Sequence, residues 1–147
     1  MDTKFSVAIH ILILIARSEK PMSSEQLAQS AGTNASYVRK IAALLKKASI
    51  IESRRGVGGF GLRVPEQQLS LYAIYCAVNE KSGAQLFDIH QNPNDRCVVG
   101  RHIQPVLAAE FATVEQALND ALQQKTLADC ILEIQEREKD YESSRIK

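Results

Sequence analysis

The sequence predicts a mainly α fold: a winged helix-turn-helix domain with a long C-terminal dimerisation helix. Three observations predict it. Two short amphipathic helical patterns are separated by a tight turn at Gly32. A glycine-rich segment with adjacent arginines, Ser53-Arg54-Arg55-Gly56-Val57-Gly58-Gly59-Phe60, follows the second of them. Further on, Ile103, Leu107, Phe111, Val114, Leu118 and Ala121 recur every three or four positions, a spacing that keeps one seam on one helix face.

Residues 3–18 are apolar nearly all round, which predicts a buried central helix. Lys20-Pro21 ends it, because the residue before proline is pushed out of the α region. Ser23 with Gln26 three residues later has capping-box spacing, and Leu27, Ala28 and Ala31 give the second helix its buried face. Gly32 stands where a helix takes a left-handed residue after its last turn. The third helix restarts at once, capped by Asn34 or Thr33, with Val38, Ile41, Ala42, Leu44 and Leu45 as its apolar stripe. Two short helices joined this way make a helix-turn-helix.

Residues 50–65 have β-prone ends around a glycine-rich tip, a hairpin with a loop longer than two residues. A hairpin directly after a helix-turn-helix is a wing. A short helix over 69–79 and a polar, aperiodic loop over 80–97 follow. The long helix then runs to about Gln124; Pro105 either opens it in the first turn or kinks it. A last helix over 127–140 turns Leu127, Ile131 and Ile134 inward. The organisation is therefore a winged domain over 1–66, a short helix and candidate sensor loop over 67–97, a helical dimerisation region over 98–140 and a flexible tail over 141–147.

Charge divides the chain in the same way. Residues 1–64 carry ten Lys and Arg against four Asp and Glu, whereas residues 65–147 carry eight against thirteen. A basic half joined to an acidic half points to a polyanion at one end. In a helix-turn-helix the second helix enters the major groove and presents its N-terminal residues to base edges. Here those residues are Asn34, Ser36, Tyr37, Arg39 and Lys40. Asn pairs with adenine and Arg with guanine through two hydrogen bonds each, while the hydroxyls of Ser36 and Tyr37 suit phosphate. Arg54 and Arg55, beside Gly58 and Gly59, bring charge and backbone close to a narrow groove. The predicted partner is double-stranded DNA.

The order Ser36-Tyr37-Val38-Arg39-Lys40, Leu44-Leu45-Lys46-Lys47-Ala48 and Ser53 to Leu62, after an apolar first helix, resembles a known family. It is the bacterial regulator family that includes the iron–sulfur-cluster regulator IscR, the cysteine-metabolism regulator CymR and the nitric-oxide regulator NsrR. The resemblance covers residues 1 to about 122. It implies that the third helix and the wing contact DNA, that a long helix dimerises, and that the protein acts as a repressor. Many members hold an iron–sulfur cluster on three cysteines in the loop before the long helix. Here only Cys97 stands at such a position, and one thiolate cannot replace three. No cluster and no other cofactor are expected. Cys97, with Arg96 and Arg101 nearby, is instead a candidate redox sensor, because a cationic setting favours the thiolate. Cys76 and Cys130 read as core residues. His90, Cys97 and His102 match no zinc spacing, so no metal site is expected.

A helix of about twenty residues is about 30 Å long, more than a 64-residue domain can cover, so a second copy is expected along Ile103, Leu107, Phe111, Val114, Leu118 and Ala121. A homodimer places two recognition helices about one DNA turn apart and predicts a near-palindromic site. The sequence shows no Ser–His–acid pattern, phosphate loop or carboxylate pair, so no enzyme is expected. No apolar run reaches the ~20 residues of a membrane span, no signal-peptide pattern opens the chain, and three widely spaced cysteines suit a reducing compartment, which together predict a cytoplasmic protein. The alternative reading is a winged helix that contacts only proteins.

Overall fold

The structure, a computed structural model, describes residues 3–54 and 58–146. Six helices and one hairpin follow in the order α1 (Lys4–Arg17), α2 (Ser24–Ala31), α3 (Ala35–Lys47), β1 (Ile51–Arg54), β2 (Gly59–Leu62), α4 (Leu71–Asn79), α5 (Val98–Gln124) and α6 (Leu127–Ile146).

The core forms around α1. Its Ala8, Ile11 and Leu12 are fully buried, and α2, α3, α4, α6 and β2 all pack on it. Leu27 from α2, Val38, Ile41 and Leu45 from α3, Ile74 and Val78 from α4, and Leu127 and Ile131 from α6 complete the same cluster. Phe5 meets Tyr75 edge-on at 5.3 Å.

Local chemistry sets the helix ends. The Ser23 hydroxyl accepts from the Gln26 N–H while the Gln26 side chain accepts from the Ser23 N–H, closing the capping box. Gly32 is left-handed (φ 72°) at the end of α2. Asn34, not Thr33, caps α3, its Oδ1 accepting from the Tyr37 N–H at 2.8 Å. Ser70 caps α4, so that helix begins two residues later than the 69–79 pattern suggests.

The wing is a two-stranded antiparallel hairpin in which Ile51 faces Leu62, Glu52 faces Gly61 and Arg54 faces Gly59. It is extended by one rung at its base and tied to the chain after α1. The Arg63 N–H donates to the Ile50 carbonyl at 2.8 Å, and the Phe60 N–H to the Met22 carbonyl at 3.1 Å.

The C-terminal half refines the sequence reading at three places. Pro105 does not open α5; it is the eighth residue, inside the helix, which leaves the second of the two alternatives. Its missing N–H removes one rung of the helical ladder, and the helix continues through it. The corner between α5 and α6 is pinned to the segment before α4, where Leu127 N–H donates to the Leu69 carbonyl at 2.8 Å and Leu71 N–H to the Lys125 carbonyl at 2.9 Å. Finally, α6 does not end at 140: it reaches Ile146, through the residues assigned to a tail. Its polar end is supported along one helix by Arg137–Glu133 at 3.0 Å, Lys139–Glu136 at 3.5 Å and Arg145 over the Tyr141 ring, contacts three or four residues apart that stabilise helices.

Gly59 is buried, and a Cβ there would sit 2.7 Å from the Pro21 carbonyl carbon and 2.9 Å from the Met22 nitrogen. Gly59→Ala therefore forces the wing off the chain that follows α1. The expected loss is about 1–3 kcal/mol of unfolding free energy, measured by denaturant titration; an unchanged midpoint would show that the wing does not dock there.

Candidate nucleic-acid interface

Helix α3 separates its two faces cleanly. Val38, Ile41, Ala42 and Leu45 are buried, while Ser36, Arg39, Lys40, Ala43, Lys46 and Lys47 are exposed. The exposed set follows the i, i+3, i+4 pattern of one helical face, so the predicted contact residues Ser36, Arg39 and Lys40 lie together. Lys40 and Lys46 form no ion pair among the described residues. Lys47 bridges to Glu80 at 3.1 Å, tying the end of α3 to the end of α4.

The other two predicted contacts on this helix have a structural share. Asn34 commits one lone pair of its side-chain oxygen to the helix cap, so it serves the fold as well as any base contact. Tyr37 is half-buried and packs on the core.

In the wing, Gly58 is exposed with φ 63°, the left-handed conformation glycine adopts freely. The buried Gly59 does not present its backbone to a groove; it serves the docking on Pro21 and Met22 described above. Arg55 lies outside the described residues. Arg54 is on β1, paired with Glu52 at 3.4 Å, and Arg39 is paired with Glu25 at 3.5 Å. Sequence reasoning missed both glutamates. Glu52 and Arg54 are two residues apart on a strand and so share a face, a signal present in the sequence; the Glu25–Arg39 contact crosses the turn between two helices and leaves no such trace.

The chain matches the family model Rrf2, described as iron-dependent transcriptional regulator, over residues 1–133. It belongs to the Rrf2 family. The Bacillus subtilis (strain 168) protein YwnA, assigned to the HTH-type transcriptional regulators, is 43% identical over 129 residues, 88% of this chain and 95% of that protein. A crystal structure of a protein assigned to DNA binding superposes with a TM-score of 0.72 at 40% identity, covering 87% of this chain and 98% of the other. Staphylococcus aureus CymR shares the fold, with a TM-score of 0.67 at 22% identity over 88% of this chain and 96% of its own. This Rrf2 chain is thus a DNA-binding transcription regulator and not an enzyme.

Within the Rrf2 fold the loop after α4 is not loose. It runs back along α5, held by side chains spaced along one face of that helix. Ala84 N–H donates to Asn119 Oδ1 at 2.8 Å and Leu86 N–H to Glu115 Oε2 at 2.6 Å. Phe87 packs on Phe111 at 5.0 Å. Gln104 Nε2 donates to the His90 carbonyl at 3.1 Å and Arg101 Nε to the Asp95 carbonyl at 3.0 Å. Phe111, assigned from its spacing to a seam between two copies, thus meets an aromatic ring of its own chain. Ile103, Leu107 and Leu118 are half-buried, and Val114 and Ala121 are exposed.

The loop delivers Cys97 to the start of α5, exposed. Its thiol is held below the ordinary value by the backbone N–H groups of Gly100, then Val99, as expected where helix N–H groups favour a thiolate. Neither Arg96 nor Arg101 is among the causes; Arg101 is turned to the Asp95 carbonyl. Cys76 is half-buried beside Tyr72, whose hydroxyl it pushes up by a hydrogen bond. Cys130 is half-buried, and burial, then the Asp129 charge, raise its thiol. No group of three or more His, Cys, Asp or Glu is gathered for a metal among the described residues, and no described helix is long and apolar enough to cross a membrane.

The opposite shifts predict two separate pH profiles. A thiol with a lowered value forms thiolate at lower pH, so alkylation of Cys97 by iodoacetamide reaches half its maximal rate below the pH of a free cysteine, and Cys130 above it. Site-resolved mass spectrometry across pH measures this; coincident profiles would contradict it.

Proposed function

We propose that the protein is a sequence-specific repressor that binds a near-palindromic DNA site as a homodimer. The observation that carries this reading is α5. None of its 27 residues is buried, although Val99 is 66% exposed and Val106 and Val114 are each 52% exposed. A 27-residue helix is about 40 Å long. Its own loop covers one face, and the apolar remainder needs another surface. A second copy, placed there by a two-fold axis, hides the same patch on both chains. Further apolar surface is open nearby: α1 and α6 border a cleft of about 600 Å³ lined by Ile9, Ile13, Leu14, Met22 and Ile134.

The exposed face of α3 supplies the reading element and the wing supplies phosphate contact. Cys97 is the candidate oxidant sensor in this proposal, because it is exposed, its thiolate is favoured, and it heads the helix that joins the two copies. An iron–sulfur cluster does not fit these residues. The loop over 80–97 brings one thiol, whereas Cys76 and Cys130 belong to α4 and α6 and are half-buried, Cys130 against the core. A winged helix used only for protein contacts does not explain the run of outward cations on α3.

Fluorescence titration on selected and mismatched duplexes tests this. Arg54→Ala weakens binding to all sequences alike and lowers the salt slope by about 1, as expected for one phosphate contact. Arg39→Ala weakens the matched duplex most and so relaxes preference. Absence of any duplex enriched by selection, or equal losses from both variants, would overturn the assignment.

A further inference from the structure

One arginine of the wing, Arg54, is stowed. Arg54 does not extend from β1; its guanidinium lies across the hairpin onto the opposite strand, over Gly61. A Cβ built at Gly61 would stand 2.8 Å from Arg54 Cζ and closer still to Nε. Gly61 is directly opposite Glu52 in the register, and Glu52 Oε1 takes Arg54 Nη1 at 3.4 Å. A missing side chain and a carboxylate, paired across the hairpin, together form the seat. Both partners are only half covered, Arg54 at 48% and Glu52 at 43% side-chain exposure. Nothing else in the described structure requires a glycine at position 61, since its φ is not left-handed and the nearest atoms to its Cβ direction all belong to Arg54.

We propose that Glu52 and Gly61 form a holding site that competes with DNA phosphate for Arg54 and so sets the overall affinity of the wing. The inference rests on the DNA-binding reading above and deepens it. Exposed ion pairs are weak, whereas phosphate accepts two parallel hydrogen bonds from a guanidinium. A duplex therefore draws Arg54 Nη1 and Nη2 off the sheet, and the Glu52 carboxylate returns to water. What the seat contributed is subtracted from binding to every sequence. The site thus lowers non-specific occupancy and leaves discrimination to α3. Glu25 holds Arg39 at 3.5 Å in the same manner between α2 and α3.

Two substitutions open the seat by different means. Glu52→Gln removes the competing charge. Gly61→Ala displaces the guanidinium with net charge unchanged. Each should tighten binding to matched and mismatched duplexes alike by roughly two- to five-fold, the range an exposed ion pair spans. Neither should have any effect in an Arg54→Ala background. Thermal melts of both variants, unchanged within experimental error, establish that the hairpin is intact. Unchanged affinity in Gly61→Ala would overturn the proposal, and so would weaker binding, which would mean that the seat aims Arg54 at DNA. Tightening by Glu52→Gln that persists without Arg54 would also overturn it, because a general field effect would then suffice. If the wild-type chain binds no duplex, the regulatory reading fails first, and that result is distinct from any of these.

Discussion

Everything on the DNA-binding side depends on the burial of α1. Ile11 and Leu12 lose all contact with solvent, and the elements that hide them are the ones that carry function. Burying α1 orients the helix-turn-helix, because Leu27, Val38, Ile41 and Leu45 must point inward. With those residues fixed, the helical period turns Ser36, Arg39, Lys40 and Lys46 outward. The wing is secured by the same post, through Phe60 on Met22 and Gly59 against Pro21. At about 25 cal/mol per Å² of apolar surface, such a cluster outweighs the weak ion pairs on the surface. The ion pairs are therefore free to exchange partners without loosening the fold, which is what a phosphate-binding surface requires.

The C-terminal half is governed by the opposite condition, burial left incomplete. α5 gives no residue to the core; it is held by packing on α4, by the loop that runs along it and by the corner at Leu127. The loop over 83–95 covers one face with directed hydrogen bonds, from Asn119 through Glu115 to Arg101. This backbone therefore has partners, as a segment packed on a helix must. The remaining face carries Val99, Val106 and Val114 in water. One chain thus has a finished reading head and an unfinished stem. Cys97 sits where the loop becomes the stem.

The parts legible in the sequence were those set by local rules. The capping box at Ser23, the left-handed Gly32, the hairpin over 50–65 and the two faces of α3 each follow from residues within one or two turns of one another. What was hidden depends on contacts between distant segments. Glycine at 59 reads as groove approach in a sequence rich in arginine, but its neighbours turn out to be Pro21 and Met22. Phe111 fits a heptad seam and meets Phe87 instead, because the loop's course along α5 has no periodic signature. Asn34 has the chemistry of both a cap and a base reader, and the structure shows it as the cap. The extension of α6 to Ile146 includes Arg145 over the Tyr141 ring, a contact within a stretch that composition alone presents as a polar tail.

The central claim is that the exposed face of α5 is completed by a second copy, so that two α3 helices address one DNA site. Light scattering of the protein on its selected duplex measures this directly. The account predicts a complex containing two chains of 16.3 kDa each, reduced to one or none by Val114→Asp at the exposed face. A stable complex of one wild-type chain per site, indifferent to that substitution, would contradict it.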